Sequence, residues 1–137
     1  MLDGEFRQMV LLALVSSAES RAEITTAFRS SGTEVVFCTD EADCLQKLKV
    51  QSPLDIILIE APNPFGAVIG LIHQVSRQSP GVPVFLLSRS TEPGFDEAFS
   101  EGADAIFARP LSSSDLRNGV LRSFVAQQGH ARRSYAR

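Results

Sequence analysis

The stretch that decides the fold is Leu54 to Gly66, with the sequence LDIILIEAPNPFG. Its apolar run, Ile56 to Ile59, is short, continuous and rich in β-branched residues, as is typical of a strand buried on both faces of a sheet. The run ends at an acid, Glu60, and a loop with two prolines and a glycine follows. Since open parallel sheets place functional sites at the carboxyl ends of strands, Glu60 is the first candidate functional residue.

Strand-like and helix-like segments alternate on both sides of this stretch. Helical spacing of apolar residues follows each strand, most clearly from Val68 to Val75. Strands separated by single helices run parallel, and right-handed crossovers place helices on both faces. We therefore predict an α/β, flavodoxin-like, doubly wound three-layer sandwich with five parallel strands in the order 2-1-3-4-5. The other predicted strands are residues 9–15, 33–39, 82–88 and 105–108, and the predicted helix caps are Ser16 or Ser17, Asp40 and residues 112–114.

Composition excludes several classes of protein. The chain has 137 residues, of which 44% are apolar, so it is long enough for one domain with a substantial core. The net charge of −3 argues against a nucleic-acid surface. No apolar run approaches the roughly 20 residues that span a bilayer. The amino terminus, MLDGEFRQ, carries two acids and does not resemble a secretory signal. We expect a cytoplasmic protein that binds neither membranes nor nucleic acids.

The composition changes only near Gln127, after which the chain becomes basic and polar. We predict a globular domain over residues 1–127 and a basic polar tail or linker over residues 128–137. The two cysteines, Cys38 and Cys44, have no further Cys or His nearby in sequence, so they do not form a metal site. They are expected to be buried or half-buried reduced thiols.

Three segments carry a resemblance to a known family. GADAIFARPLSSSDL (Gly102 to Leu116) and RAEITTAFRSSGTEV (Arg21 to Val35) resemble the receiver domain of bacterial two-component response regulators. Asp55 and Pro64 lie five positions before and four after Glu60, as they would around the family's phosphoacceptor. The resemblance covers about residues 9–125 and implies the predicted fold.

The resemblance also implies positions for the phosphoryl-transfer site. The phosphoacceptor position holds Glu60 instead of Asp. The pair of acids that helps to hold Mg²⁺ falls on Ser16 and Ser17, or on Val15 and Ser16 in an ungapped alignment, and neither alignment supplies an acid. The conserved Thr or Ser position holds Ser88, which matches.

The remaining positions that the resemblance implies lie on the fifth strand and directly after it. The Lys position holds Arg109, and the following Pro110 is expected to have a cis peptide bond. The aromatic switch position falls on Ile106, because Phe107 lies one place later and on the opposite face of the strand.

These departures argue against phosphorylation in the manner of the family. Mg²⁺ requires near-ideal octahedral oxygen ligation, and one carboxylate with two hydroxyls provides a weak site. Glu60 also places its carboxylate one methylene further out than Asp, and in-line transfer is sensitive to displacements of about 1 Å. We therefore predict no catalytic residue, no metal and no cofactor, and no adduct at Glu60 after incubation with a small phosphodonor and Mg²⁺.

Glu60 and Arg109 suggest a different hypothesis, because both are expected at the same cleft. A fixed pair could imitate the contact between a phosphorylated Asp and a Lys and so hold the domain in one state. The alternative is an ordinary charge pair at the rim of a cleft, which contributes roughly 0–1 kcal/mol.

The last two predicted helices and the fifth strand form the expected contact surface, since receiver domains pair with proteins there. Gly119 interrupts the last helix, either as a tolerated fault or because a partner approaches closely. An exposed phenylalanine in these elements would mark the contact; the candidates are Phe95, Phe99, Phe107 and Phe124. The expected partner is a kinase, an output domain or a second copy of this chain.

Three functions are compatible with these observations. The first is a non-catalytic, degenerate receiver that acts through protein contacts. The second is a working phospho-receiver with an unusual acceptor. The third is a regulatory domain that binds a small anion at Glu60, Ser88 and Arg109.

Overall fold

The computed structural model describes residues 8–51, 53–61, 66–88, 95–108 and 112–135. Strands and helices alternate along these residues. The strands are β1 (Met9–Leu14), β2 (Thr33–Cys38), β3 (Ile56–Ala61), β4 (Val84–Ser88) and β5 (Ala105–Ala108). The helices are α1 (Ala18–Phe28), α2 (Glu41–Val50), α3 (Gly66–Gln78), α4 (Phe95–Glu101) and α5 (Ser113–Tyr135).

The strands form one parallel sheet in the order β2-β1-β3-β4-β5, which confirms the predicted fold. All six residues of β3 are buried, as expected for the central strand of a sheet that is covered on both faces. The chain order reverses between β1 and β3, so a crevice is expected at the carboxyl ends of these two strands.

Each face of the sheet has its own hydrophobic core. On one face, Leu58 and Phe85 pack with residues of α1 and α5, such as Ile24 and Val120. On the other face, residues such as Ile57 and Leu86 pack with α2, α3 and α4. Full burial of each such side chain contributes about 1.5–3 kcal/mol to the stability of the fold.

Short polar side chains begin three of the helices, as predicted. The Ser17 hydroxyl accepts from the Ser20 amide at 3.0 Å and caps α1. The Asp40 carboxylate caps α2 by accepting from the Asp43 amide at 2.8 Å. Ser112 precedes α5, and its hydroxyl accepts from the amide of Asp115, three residues later, at 3.0 Å.

Two acids connect neighbouring strands at the amino edge of the sheet in the same way. The Asp55 amide donates to the Val10 carbonyl at 2.9 Å, and its carboxylate accepts from the Val10 amide at 2.8 Å. Asp104 makes the same reciprocal pair with Val84, at 2.7 and 2.8 Å. Partial burial raises the pKa of Asp104, although the hydrogen bond from Val84 acts in the opposite direction.

The close approach predicted at Gly119 occurs within the domain. A Cβ atom at this position would lie 2.9 Å from Cε1 of Phe107 on β5. Phe107 also packs edge to face on Phe85, with ring centroids 5.8 Å apart. The interpretation of Gly119 as a point of partner approach is therefore wrong, because the glycine makes room for an aromatic ring of the same chain.

The last helix continues beyond the predicted domain boundary. α5 runs to Tyr135, so the backbone of residues 128–135 continues the helix, and the boundary at residue 127 remains a prediction. In the described part of the chain, no helix has the length and apolar character that crossing a bilayer requires.

Candidate functional site

The candidate site lies at the carboxyl edge of the sheet, where β1 and β3 diverge. Glu60 is the second-to-last residue of β3, and only 8% of its surface is exposed. Ser16 follows β1, and Ser20 lies in the first turn of α1. The β1–β3 pairing and the turn into α1 thus bring together residues that are 40 and 44 positions apart in sequence.

Both oxygens of the Glu60 carboxylate accept hydrogen bonds, one from the segment after β1 and the other from the first turn of α1. The Ser20 hydroxyl donates to Oε2 at 2.6 Å, and both groups are buried. The Ser16 amide donates to Oε1 at 3.2 Å, and the Ser16 hydroxyl lies 3.4 Å from the same oxygen. The short bond from Ser20 is therefore the strongest of the three contacts.

This position stabilises a buried carboxylate by two physical effects. Hydroxyl and amide donors replace the water that Glu60 loses on burial. The carboxylate also lies beside the first turn of α1, where the unpaired amides of a helix carry a partial positive charge. Glu60 thus has the environment of a structural hydrogen-bond acceptor.

The two serines for which the resemblance implies the acid-pair position make different contacts. Ser16 contacts Glu60, whereas the Ser17 hydroxyl is used to cap α1. In the ungapped alternative, Val15 is 1% exposed and belongs to the core between the sheet and α1 and α5. Of the residues considered for this position, only Ser16 reaches the Glu60 carboxylate in the described hydrogen bonds.

Ser20 also belongs to the candidate site, although no sequence pattern predicted it. Ser20 lies three residues after the cap residue Ser17. A residue at this position can lie on either the buried or the exposed face of the helix. The available signal was a small polar residue one turn before Ile24, on the stripe that faces the sheet. That signal indicates burial, but it does not identify a partner 40 positions away.

Two of the residues predicted to be switch-equivalent, Ser88 and Ile106, lie within the described strands β4 and β5. Ser88 ends β4 at 1% exposure and pairs in register with Ala61, the residue after Glu60. Ile106 packs against the core on the side of α2, α3 and α4, and Phe107 packs on the opposite side. The predicted placement of Phe107 on the other face from Ile106 is confirmed.

Arg109, Pro110 and Pro64 lie outside the described residues. The Glu60–Arg109 pair and the cis peptide bond before Pro110 therefore stay predictions.

The described residues do not fit a magnesium ion. Both oxygens of the one carboxylate already accept hydrogen bonds from Ser16 and Ser20. Within the described ranges, no cluster of three or more His, Cys, Asp or Glu side chains could hold a metal. Mg²⁺ is usually held through carboxylates in octahedral geometry, which this donor set does not provide.

The comparisons with known proteins agree with the geometry of the sheet. No family model and no curated protein matches the sequence. Solved structures, in contrast, match over most of the chain. This is the fold of a response regulator receiver domain.

Three receiver structures illustrate the likeness. A CheY-like receiver domain protein from Methanospirillum hungatei is 16% identical with a TM-score of 0.77, and the match covers 90% of this chain and 98% of that chain. The chemotaxis response regulator CheY4 of Vibrio cholerae is 21% identical, with a TM-score of 0.75 and coverage of 85% and 98%. The receiver domain of an HD domain-containing protein from Pseudomonas fluorescens is 18% identical, with a TM-score of 0.78 and coverage of 90% and 99%.

Proposed function

We propose that this chain is a receiver-like signalling module of a two-component or phosphorelay system. It acts through contacts with other proteins and does not accept a phosphoryl group in the manner of an Asp receiver. The observation that carries this proposal is the engagement of both Glu60 oxygens by Ser16 and Ser20. The receiver fold supports a signalling role for the chain and no enzymatic one.

Glu60 is poorly suited to attack phosphorus for three reasons. Its lone pairs accept hydrogen bonds, which lowers the nucleophilicity of both oxygens. Its extra methylene displaces the carboxylate from the position of an Asp. The serines at the acid-pair position do not provide carboxylates for Mg²⁺, which would otherwise neutralise the transferring oxygens.

The test is incubation of the full chain with acetyl phosphate and Mg²⁺, followed by intact-mass and peptide mass spectrometry. We expect no adduct of one phosphoryl group on Glu60. The matched control is the triple variant Ser16→Asp, Ser17→Asp, Glu60→Asp, which restores the three acids that the family resemblance implies. Ser17→Asp keeps a good helix-capping side chain, so α1 retains its start.

Magnesium binding separates the proposal from the phospho-receiver alternative. In a thermal-shift titration, the triple variant should be stabilised by Mg²⁺, by about 2.7 kcal/mol at a hundred times its Kd. The wild type should show no shift beyond that given by the same ionic strength of NaCl. A Mg²⁺-dependent phosphoryl adduct on wild-type Glu60 would overturn the proposal.

The small-anion alternative makes a different prediction. If the crevice at Glu60, Ser88 and Arg109 binds anions, inorganic phosphate or sulfate should stabilise the wild type, and Arg109→Gln should remove the effect. We expect no such stabilisation. The described groove that is lined by Ser79, Phe99 and Asp104 lies at the opposite edge of the sheet from Glu60.

We place the protein contacts on the surface formed by α4, β5 and α5. Phe99 on α4 is 45% exposed, whereas Phe107 and Phe124 pack against the core of α1 and α5. The side chain of Phe95 lies outside the described part of the chain. An exposed phenylalanine is a typical element of a protein contact.

Sedimentation velocity tests whether a second copy of this chain is the partner. We expect the sedimentation coefficient of the wild type to rise with protein concentration, and that of Phe99→Ser to stay constant. If the wild type remains monomeric, the partner proposed for this surface is a kinase or an output domain and not a second copy of the chain. The acidic chain is proposed to work in the cytoplasm, without nucleic acid or membrane contacts.

A further inference from the structure

A groove opens at the amino edge of the sheet, where the chain enters β4 and β5. It lies between the end of α3, the end of α4 and the late part of α5, and its volume is about 420 Å³. Pockets that bind ligands typically have volumes of about 300–1,000 Å³, so the groove is large enough for one long side chain. Its polar side chains are Ser76, Ser79, Asp104, Gln127 and Gln128.

Asp104 gives the groove its charge. It is the one ionisable residue among the described residues that line the groove. Its Oδ2 atom accepts from the Val84 amide at 2.8 Å, which holds the carboxylate beside the start of β4. Asp104 keeps an exposed surface, and no described hydrogen bond reaches its Oδ1 atom. The groove therefore presents one oriented negative charge and, among its described lining residues, no cation that neutralises it.

The loop that leads into β4 contributes more acceptors than donors. Pro80 and Pro83 have no amide hydrogen. Among the described hydrogen bonds, none has the carbonyl of Pro80 or Gly81 as its acceptor. A Cβ atom at Gly81 would meet nothing within 4 Å, so a ligand can approach the backbone there. Hydroxyl and amide side chains can accept as well as donate, so the lining favours a ligand that donates hydrogen bonds.

Phe99 adds an aromatic face to the same groove. Its side chain is 45% exposed, whereas the other phenylalanines with described side chains are buried or half-buried. A cation is attracted to the face of an aromatic ring, and the attraction is strongest where water is excluded. The groove thus combines a carboxylate, free acceptors and an exposed ring.

We propose that this groove binds the side chain of an arginine that belongs to a peptide segment of a partner protein. The guanidinium group is planar, carries five N–H donors and no acceptor, and stacks on aromatic rings. Arginine is also enriched among the residues that dominate the binding energy of protein contacts. The inference rests on the proposed function in one respect, because it assigns a chemistry to the partner that contacts the surface around Phe99.

A peptide fits the groove better than a free amino acid does. Free arginine carries an α-carboxylate, and the described lining offers no Lys, Arg or His to pair with it. In a peptide this carboxylate is replaced by an amide, so the guanidinium group is the one charge that needs a partner. The peptide backbone can also cover the exposed part of the Phe99 ring while the side chain lies in the groove.

The test is a titration of the isotope-labelled full chain with the capped peptide acetyl-Ala-Ala-Arg-Ala-Ala-amide, followed in amide NMR spectra. The protein concentration is one at which sedimentation shows a monomer. We expect saturable shifts of the amide signals of Ser79, Gly81, Gly102 and Asp104, whereas the signal of Ser20 beside Glu60 should not move. The absence of shifts at the groove residues would overturn the proposal.

Two control ligands test the chemistry and the source of the guanidinium group. The same peptide with citrulline in place of arginine has nearly the same shape but no charge, and it should bind roughly tenfold more weakly. Agmatine carries a guanidinium group without a peptide. Equal binding of the citrulline peptide would contradict recognition of a cation. Tighter binding of agmatine than of the arginine peptide would assign the groove to a small molecule and contradict the proposal.

Three variants test the residues. Asp104→Asn keeps an oxygen that accepts from the Val84 amide but loses the charge, so the Kd of the arginine peptide should rise roughly tenfold. Phe99→Leu removes the ring and should raise the Kd roughly two- to fivefold. Glu34→Gln is the matched control, because Glu34 is an exposed acid on β2, at the other side edge of the sheet from β5, and its loss should not change the Kd. Binding by Asp104→Asn that equals wild-type binding would contradict the role of the carboxylate.

The outcomes separate this inference from the proposed function. A phosphoryl adduct on Glu60 would contradict the proposed function without changing the peptide titration. A peptide titration without shifts would remove arginine recognition, but it would change neither the phosphorylation result nor the sedimentation of Phe99→Ser.

Discussion

The Ser20 hydroxyl donates a 2.6 Å hydrogen bond to Oε2 of Glu60, and only 2% of the Ser20 surface is exposed. This bond joins the first turn of α1 to the carboxyl end of the central strand β3. It places a neutral hydroxyl donor directly beside the carboxylate. Because hydrogen bonds to buried charged groups are the strong ones, this contact is the first to test by mutation.

Ser20→Ala should lower the free energy of unfolding by about 1.5–3 kcal/mol, because a buried carboxylate loses the shortest of its described hydrogen bonds. Urea denaturation of the purified chain measures this change. Ser30→Ala is the matched control, since Ser30 is exposed after the end of α1 and should change stability by less than about 0.5 kcal/mol. Equal losses in the two variants would mean that the Ser20–Glu60 bond contributes nothing specific.

Replacing two helical glycines by alanine should have opposite effects. Gly119→Ala places a Cβ 2.9 Å from Cε1 of Phe107, and Gly70→Ala on α3 meets nothing within 4 Å. Overpacking of about 1–3 kcal/mol at Gly119 exceeds the gain in helix propensity of about 1 kcal/mol, so we expect net destabilisation. Gly70→Ala should be stabilising by up to about 1 kcal/mol. Thermal or urea unfolding measures the sign of the stability change for both variants. Stabilisation by Gly119→Ala would show that Phe107 can move aside.

Two further glycines distinguish backbone strain from crowding. Gly102 has φ +129° and would place a Cβ 2.5 Å from Ser76 Oγ, whereas Gly81 has φ +89° and open space around it. Gly81→Ala should therefore lower the free energy of unfolding by about 1–3 kcal/mol through strain alone. Gly102→Ala should lower the free energy of unfolding by roughly a further 1–3 kcal/mol, because Ser76 must also shift. Similar losses at the two positions would exclude a contribution from the Ser76 contact.

Asp104→Asn should change how stability depends on pH. Burial raises the pKa of Asp104 in the folded chain, so the folded state binds this proton more tightly than the unfolded state does. The resulting contribution to stability is complete below the pKa of the unfolded chain and is lost as the pH rises through that of the folded chain. The amide of Asn keeps an oxygen that accepts from the Val84 amide but does not titrate.

The measurement for Asp104 is urea denaturation of both proteins across the acid range. Relative to Asp104→Asn, the wild type should become less stable as the pH rises from about 3 to about 6. The opposite slope would show that the hydrogen bond from Val84 favours the carboxylate by more than burial disfavours it.

Much of the fold was predictable because its determinants are local in sequence. Apolar runs of strand length, helical spacing between them and short polar capping residues each depend on a few neighbouring residues. Ser17 and Asp40, for example, cap α1 and α2 as predicted. The parallel direction of the strands then follows from their alternation with single helices, and the right-handed crossover rule reduces the possible strand orders to a few.

The details of the site were less predictable, because they depend on how helices are rotated and how strands are aligned. The choice between Ser16 and Ser17 as the neighbour of Glu60 depends on which hydroxyl the amino end of α1 uses for its cap. The role of Gly119 depends on the distance between α5 and Phe107. Neither the choice of cap residue nor the distance between α5 and Phe107 produces a periodic pattern in the sequence.

By itself, the sequence determined the α/β sandwich, its strand order and the position of Glu60 at the end of the central strand, because hydrophobic periodicity and crossover handedness leave few alternatives. Only the tertiary structure decided that Ser20 is the closest described partner of Glu60 and that Phe107 occupies the space beside Gly119. The physical reason is that both contacts require specific rotations of α1 and α5 against the sheet, and the packing of the whole core sets these rotations.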